Sequence, residues 1–139
     1  MSGGCTITPG QTIAYLPQQS EVDRHFPATV SDIVSLGLWP KRGLFGWFSR
    51  ADRAAVQDAI KAVGLEGFEG RTLDTLSGGQ LQRALFARVL VQDADLILLD
   101  EPFNAVDSKT TSDLIDLIKH WQGEERTVVV VAHDVAMIR

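Results

Sequence analysis

The 139-residue chain has a single cysteine, Cys5, so no internal disulfide and no cysteine-rich metal site can form. That scarcity fits a reducing compartment. No apolar run approaches the roughly eighteen residues that cross a bilayer, and the longest, Val128 to Ala132, is only strand length. A membrane role would therefore run through a partner. The opening MSGGCTITPGQT has neither a basic start nor an apolar segment and does not read as a signal peptide. Positive charge is also short. Thirteen Lys and Arg face 18 Asp and Glu, for a net charge of -5, the reverse of the basic face of a general nucleic-acid binder. A local basic patch would still be compatible with that balance. There is no internal repeat and no low-complexity tract. What remains, 45% hydrophobic and 22% charged, is ordinary for one globular domain.

The periodicities predict alternating elements. Thr12 to Leu16 (TIAYL) is a short β-rich run stopped by Pro17. Thr29 with Asp32 three residues on predicts a capped helix to about Leu36, and Ser49 with Asp52 predicts another. In the latter, Val56, Ala59, Ile60 and Val63 share one face, and Gly64 ends it. Between these two helices, GLWPKRGLFGWF is broken by glycine and proline and reads as an aromatic loop. Ser77 can cap a helix with Leu81, Leu85 and Val89 on one stripe. Leu96 to Leu99 reads as a strand buried on both faces. A helix from about Lys109 to Trp121 would bury Leu114, Leu117, Ile118 and Trp121. Thr127 to Ala132 is expected to be a second fully buried strand, and the last two strands with their helix a parallel, right-handed βαβ unit.

Four stretches carry chemistry. In LILLDEP, a strand ends at Asp100 and Glu101 follows. The carboxyl edge of a parallel sheet is where ligands bind, so these carboxylates could hold a hydrated divalent cation and polarise a water. The same residues would also serve an ordinary solvated turn. In LSGGQLQR, Ser77, Gly78 and Gly79 open a helix whose free N–H groups and dipole favour an anion, or simply form a serine-capped helix start. His133 in VVVVAHD follows the last strand, where an imidazole can bond a phosphate, although a histidine after a strand can also be incidental. Gln18 in IAYLPQQ offers both a donor and an acceptor, a weak signal by itself.

In this order and spacing the pieces resemble the ATP-binding subunit of ABC transporters. YLPQ resembles that family's Q-loop, LSGGQLQR its signature, LILLDEP its Walker B strand with catalytic glutamate, and AHD its switch-histidine loop. Asn104 to Ser108 occupy the D-loop position. The resemblance covers about Ile13 to Asp134. It implies an α/β fold: a P-loop NTPase-type parallel sheet core, incomplete in these residues, with a helical ABC-specific subdomain. Residues 1–25 and 92–139 would form the core and residues 26–91 the helical part with the signature. ATP and Mg2+ are the implied cofactors. Asp100 and Gln18 would hold Mg2+, Glu101 would be the general base, and His133 would contact the γ-phosphate. Gln18 would also couple the site to a membrane subunit. Ser77, Gly78, Gly79 and Gln80 would reach the nucleotide of a second copy, with Asp107 linking the two sites. The implied partners are that second copy in a head-to-tail dimer, transmembrane permease subunits and, indirectly, a substrate-binding protein, with no nucleic acid. The implied location is peripheral, on the cytoplasmic face of the cell membrane.

The phosphate-gripping loop of such sites, G-x-x-x-x-G-K-[ST], does not occur in residues 1–139. The nearest approach, CTITPGQT from Cys5 to Thr12, has Cys for the first glycine and Gln for the lysine. Pro17 also follows too soon for the helix such a loop caps. An adenine-stacking aromatic ahead of it is absent too, and Arg139 comes just as a helix after His133 should begin. The expectation is the middle of a longer ATPase. By itself it should show no ATP turnover, and exposed strand edges and apolar faces should leave it poorly stable.

EVDRHFPATVSDIVSLGLW, GLFGWFSRADRAAV and DEPFNAVD resemble the manganese, zinc and related metal-ion importers. Phe26, Trp39, Phe45 and Trp47 would then meet a coupling helix of the membrane subunit, or else pack the helical part. No residue is expected to bind the transported ion, and His25 beside Asp23 reads as solvated loop. Two alternatives remain. One is a soluble ABC ATPase of DNA repair or translation, which would carry a long coiled coil or a second cassette. The other is a catalytically inactive remnant.

Overall fold

The structure, a computed structural model, describes residues 12–38, 49–104 and 106–131. Its main elements run β1 (Ile13–Leu16), α1 (Val30–Ser35), α2 (Arg50–Ala62), α3 (Gly78–Gln92), β2 (Leu96–Asp100), α4 (Ser108–Gly123) and β3 (Thr127–Val131). Three helices start as short-range chemistry dictates. Thr29, Ser49 and Ser77 each accept a bond from the backbone three residues on, and the side chains of Asp32, Asp52 and Gln80 return a bond to the cap. Each such cap contributes about 1 kcal/mol.

The strands form a parallel sheet of order β1-β2-β3, with Leu16 opposite Leu99 and Leu99 opposite Val130. The outward carbonyls of β1 are satisfied by side chains of α3. Gln92 Nε2 donates to the Ile13 oxygen at 2.7 Å and Arg88 Nη2 to the Tyr15 oxygen at 3.2 Å. These bonds occupy the sheet edge that would otherwise invite another strand.

Helix α3 is apolar on nearly every side. Leu81, Ala84, Leu85, Phe86, Ala87 and Val89 are all buried, which makes it the central helix, packed on α1, α2, α4 and β1. Phe86 stacks on Trp121 of α4 with ring centroids 5.8 Å apart. The predicted apolar faces of α2 and α4 lie inward, except that Leu117 is only partly buried.

The expectation of a second fully buried strand does not hold. Val130 and Val131 of β3 are 47% and 42% exposed. Among the described residues β3 pairs with β2 alone. Side chains alternate between the two faces. Ala14, Leu16, Ile97 and Leu99 are buried on one face, yet Val130 shares that face and is exposed, while Tyr15, 46% exposed, and Val131 lie on the other, so the end of β3 is open on both. An unbroken valine run cannot tell whether both faces are covered. Ala132 and the aromatic loop residues Trp39, Phe45 and Trp47 lie outside the described residues.

Arg83 of α3 ties three helices together. Its Nη1 donates to the Val63 oxygen at 2.9 Å, and its Nη2 to Thr110 Oγ1 at 3.1 Å and Asp113 Oδ2 at 2.9 Å. The guanidinium holds the Asp113 carboxyl below its ordinary pKa. A carboxylate whose folded pKa is depressed adds stability above its unfolded value near ~3.9, and that stability is lost as pH falls. Asp113→Asn should therefore lower Tm at pH 7, and the difference from the parent should be smaller at pH 3. Thermal melts of both proteins at the two pH values check this. A pH-independent difference would show that the pair has no such role.

Candidate active site

Parallel strands deliver their carboxyl ends, and the residues that follow, to one edge of the sheet. There the Asp100 carboxylate accepts from the Tyr15 hydroxyl on Oδ2 at 3.1 Å and from Gln18 Nε2 on Oδ1 at 3.5 Å. Residues distant in sequence thus meet because β1 and β2 are paired. Local desolvation raises the Tyr15 phenol above its ordinary pKa, and the bond to Asp100 and the negative charges of Glu21 and Asp100 act in the same direction. The hydroxyl therefore stays a donor at neutral pH.

Glu101 leaves the strand with φ 47, in the left-handed region that non-glycine residues rarely occupy. Such a conformation costs of order 1 kcal/mol and persists only where its surroundings impose it. Here the Glu101 N–H donates to the Val131 oxygen at 2.8 Å, so β3 holds the turn. Asn104 Nδ2 reaches Glu101 Oε2 at 3.5 Å.

A second group gathers at the start of α3. Ser77 Oγ accepts from the Gln80 N–H at 3.1 Å, and Gln80 Oε1 accepts from the Ser77 N–H at 2.9 Å. A hydroxyl that accepts one bond still has its proton to donate. A Cβ placed on Gly79 would lie 3.2 Å from Thr110 Oγ1 and 3.3 Å from Asp107 Oδ1, so the glycine lets the start of α3 approach the start of α4. Asp107 is the N-cap residue of α4. Of the sequence-predicted residues, Gln18, Asp100 and Glu101 thus gather at the sheet edge. Ser77, Gly78, Gly79, Gln80 and Asp107 gather where the two helices start. His133 lies outside the described residues.

Three residues escaped the sequence reading: Tyr15, Gln19 and Gln82. Gln19 Nε2 donates to the Gly78 oxygen at 2.8 Å and to Gln82 Oε1 at 3.1 Å, and Gln82 Nε2 donates to the Pro102 oxygen at 2.6 Å. A signal for Gln82 was present. It lies three, four and seven residues before Leu85, Phe86 and Val89, on their apolar face of the helix, and a buried amide there must find partners.

Residues 5–104 match the sequence family described as ABC transporter. The chain belongs to that family. Among curated ABC relatives, the zinc transport system ATP-binding protein TroB of Treponema pallidum is 43% identical over 129 residues, 91% of this chain and 47% of its own length. The manganese transport system ATP-binding protein MntB of Listeria monocytogenes is 43% identical over 122 residues, 88% of this chain and 51% of its own length. The chain spans about half the length of the curated ABC relatives it matches. Among solved structures, the ABC cassette MJ0796, a dimer in a post-hydrolysis state bound to ADP and Pi, superposes with a TM-score of 0.75 at 33% identity. It covers 91% of this chain and 54% of its own. A transporter described as of metal-chelate type, facing inward, gives a TM-score of 0.78 at 31% identity, covering 89% of this chain and 49% of its own. The fold is therefore the α/β ABC ATPase cassette, with the parallel sheet and helices of a P-loop NTPase core.

Asp100 and Gln18 offer only oxygen ligands, the kind that Mg2+ takes. That ion keeps waters and phosphate oxygens in its shell and needs few protein donors. Among the described residues no cluster of three His, Cys, Asp or Glu could cage a metal. The donor set fits Mg2+. The His25 loop is exposed, and its backbone N–H bonds Asp23 Oδ1 at 2.9 Å. A groove of about 570 Å³ lies between α1 and α2, lined by Ser31, Asp32, Ser35, Leu36 and Arg53, and apart from Asp100. No described helix is long and apolar enough to cross a membrane.

Proposed function

We propose that the chain carries the hydrolytic and signature elements of an ATP-binding subunit that powers uptake of a divalent metal ion, zinc or manganese. The observation that carries this reading is the meeting of Gln18 with Asp100 at the carboxyl edge of the sheet, one residue before Glu101. Asp100 and Gln18 would hold Mg2+, which when bound neutralises phosphate charge. Glu101 follows directly on Asp100 and serves as general base for the attacking water. His133, after β3, contacts the γ-phosphate. The Ser77 hydroxyl and the Gly78, Gly79 and Gln80 backbone at the start of α3 bind the nucleotide of a second copy in a head-to-tail dimer, with Asp107 joining the two sites. The dimeric cassette MJ0796, bound to ADP and Pi, supports both the nucleotide and the pairing.

Relatives whose names specify zinc and manganese transport support this choice of ion. Membrane permease subunits are the partners that turn hydrolysis into transport, and a substrate-binding protein acts further upstream. The protein then sits on the cytoplasmic face of the membrane. Phe26, 62% exposed beside α1, would meet the permease.

Disruption of the gene tests the reading. Cellular zinc or manganese should fall several-fold in chelated medium, and the parent gene should restore it whereas Glu101→Gln should not. Unchanged content of both metals would remove transport of these ions from the proposal.

A further inference from the structure

Two adjacent glutamines, Gln18 and Gln19, reach different parts of the molecule. Gln18 bonds Asp100, and Gln19 turns to the start of α3. The single Nε2 of Gln19 has two protons, and they serve two acceptors, the Gly78 oxygen at 2.8 Å and Gln82 Oε1 at 3.1 Å. Gln82 is 1% exposed, and its own Nε2 passes the chain on to the Pro102 oxygen at 2.6 Å. Pro102 directly follows Glu101. Two side-chain amides in series therefore join the glycine turn at Gly78, the loop after β1 and the turn that bears Glu101. Among the described residues no buried side-chain nitrogen or oxygen lacks a partner, so the relay is fully satisfied as it stands.

Each joint is directional. If the Gln18–Gln19 loop shifts, the buried Gln82 amide must either follow it or lose its bond. An unpaired buried amide costs far more than a normal bond contributes. The loop, the helix start and the Glu101 turn are thus constrained to move together.

We propose that Gln19 and Gln82 are positioning residues that set the glycine turn of the signature helix relative to the Glu101 turn, so that ATP hydrolysis depends on both. The proposal rests on the ATPase reading above. The test uses the protein expressed from its complete gene. Gln19→Glu keeps size but removes both donors, while Gln19→Lys keeps a donor on a flexible side chain one bond longer. Gln19→Glu should lower kcat about ten-fold with KM for ATP little changed, the effect of one misaligned contact in the transition state. Gln19→Lys should recover most of the rate. Gln82→Met, combined with Gln19→Glu, should cost little more than the worse single variant, because both break one chain of bonds.

A parent that hydrolyses ATP while Gln19→Glu keeps its kcat would overturn the relay and leave the ATPase reading intact. Equal losses in Gln19→Glu and Gln19→Lys, or additive effects of the two sites, would overturn it as well. A parent with no hydrolysis would overturn both. Should Gln82→Met fail to fold, the two variants at half-buried Gln19 decide the matter alone.

Discussion

Replacing Glu101 with Gln should abolish ATP hydrolysis and leave ATP binding almost intact. The substitution keeps size and hydrogen-bonding reach but removes the carboxylate that accepts a proton from water. Loss of a general base costs about 10²- to 10⁴-fold in rate. Glu101 is already held in a left-handed conformation by its bond to Val131, and Gln at φ 47 meets the same backbone cost. The fold should therefore survive. In the protein expressed from its complete gene, kcat should drop about a thousand-fold. The dissociation constant for ATP should move less than about two-fold, since binding common to ground and transition states is untouched. Rate and affinity falling together would mean that Glu101 holds nucleotide and does not act as a base. Residues 1–139 contain no G-x-x-x-x-G-K-[ST], so this stretch expressed by itself should show no turnover. Turnover there that disappears on Glu101→Gln would overturn that expectation.

Gly37→Ala should be the most damaging small substitution for stability. A Cβ on Gly37 would fall inside contact distance of the Arg88 carbonyl oxygen and 3.3 Å from the Gln92 nitrogen, both backbone atoms of α3. Backbone inside a packed helix cannot move aside as a flexible side chain can. Gly→Ala at a compatible position usually stabilises by about 0.4–1 kcal/mol through the unfolded chain. Here overpacking, about 1–3 kcal/mol, outweighs that gain. A Tm lower by about 8 °C is expected for a net loss of about 2 kcal/mol. Gly123→Ala is the matched control, at the end of α4 with nothing within 4 Å of the new methyl. It should raise Tm slightly. If both substitutions behave alike, the close approach of the Gly37 turn to α3 is not what decides stability.

Much of the site could be read before any coordinates. Periodicity located α2, α3 and α4. The Ser/Thr-x-x-Asp patterns located two helix starts to the residue, because capping is settled by atoms within four positions. LSGGQ and DEP announced their chemistry because both need particular groups at fixed short spacing. Tyr15 was missed, since its value lies in a bond to Asp100, 85 residues away. Gln19 and Gln82 were missed for the same reason. A loop glutamine and a helix glutamine are unremarkable until a fold brings them within 3.1 Å.

By itself, the sequence of this protein determined its elements, its caps and the family motifs along the chain, because these rest on local periodicity and neighbouring atoms. Tertiary structure alone decided three things. It set the order β1-β2-β3, which brings Gln18 to Asp100. It left the end of β3 exposed on both faces, and it forced Glu101 into the left-handed region through a bond to the neighbouring strand. All three depend on which distant segments pair, and pairing follows from the packing of the whole core, which no short stretch of sequence specifies.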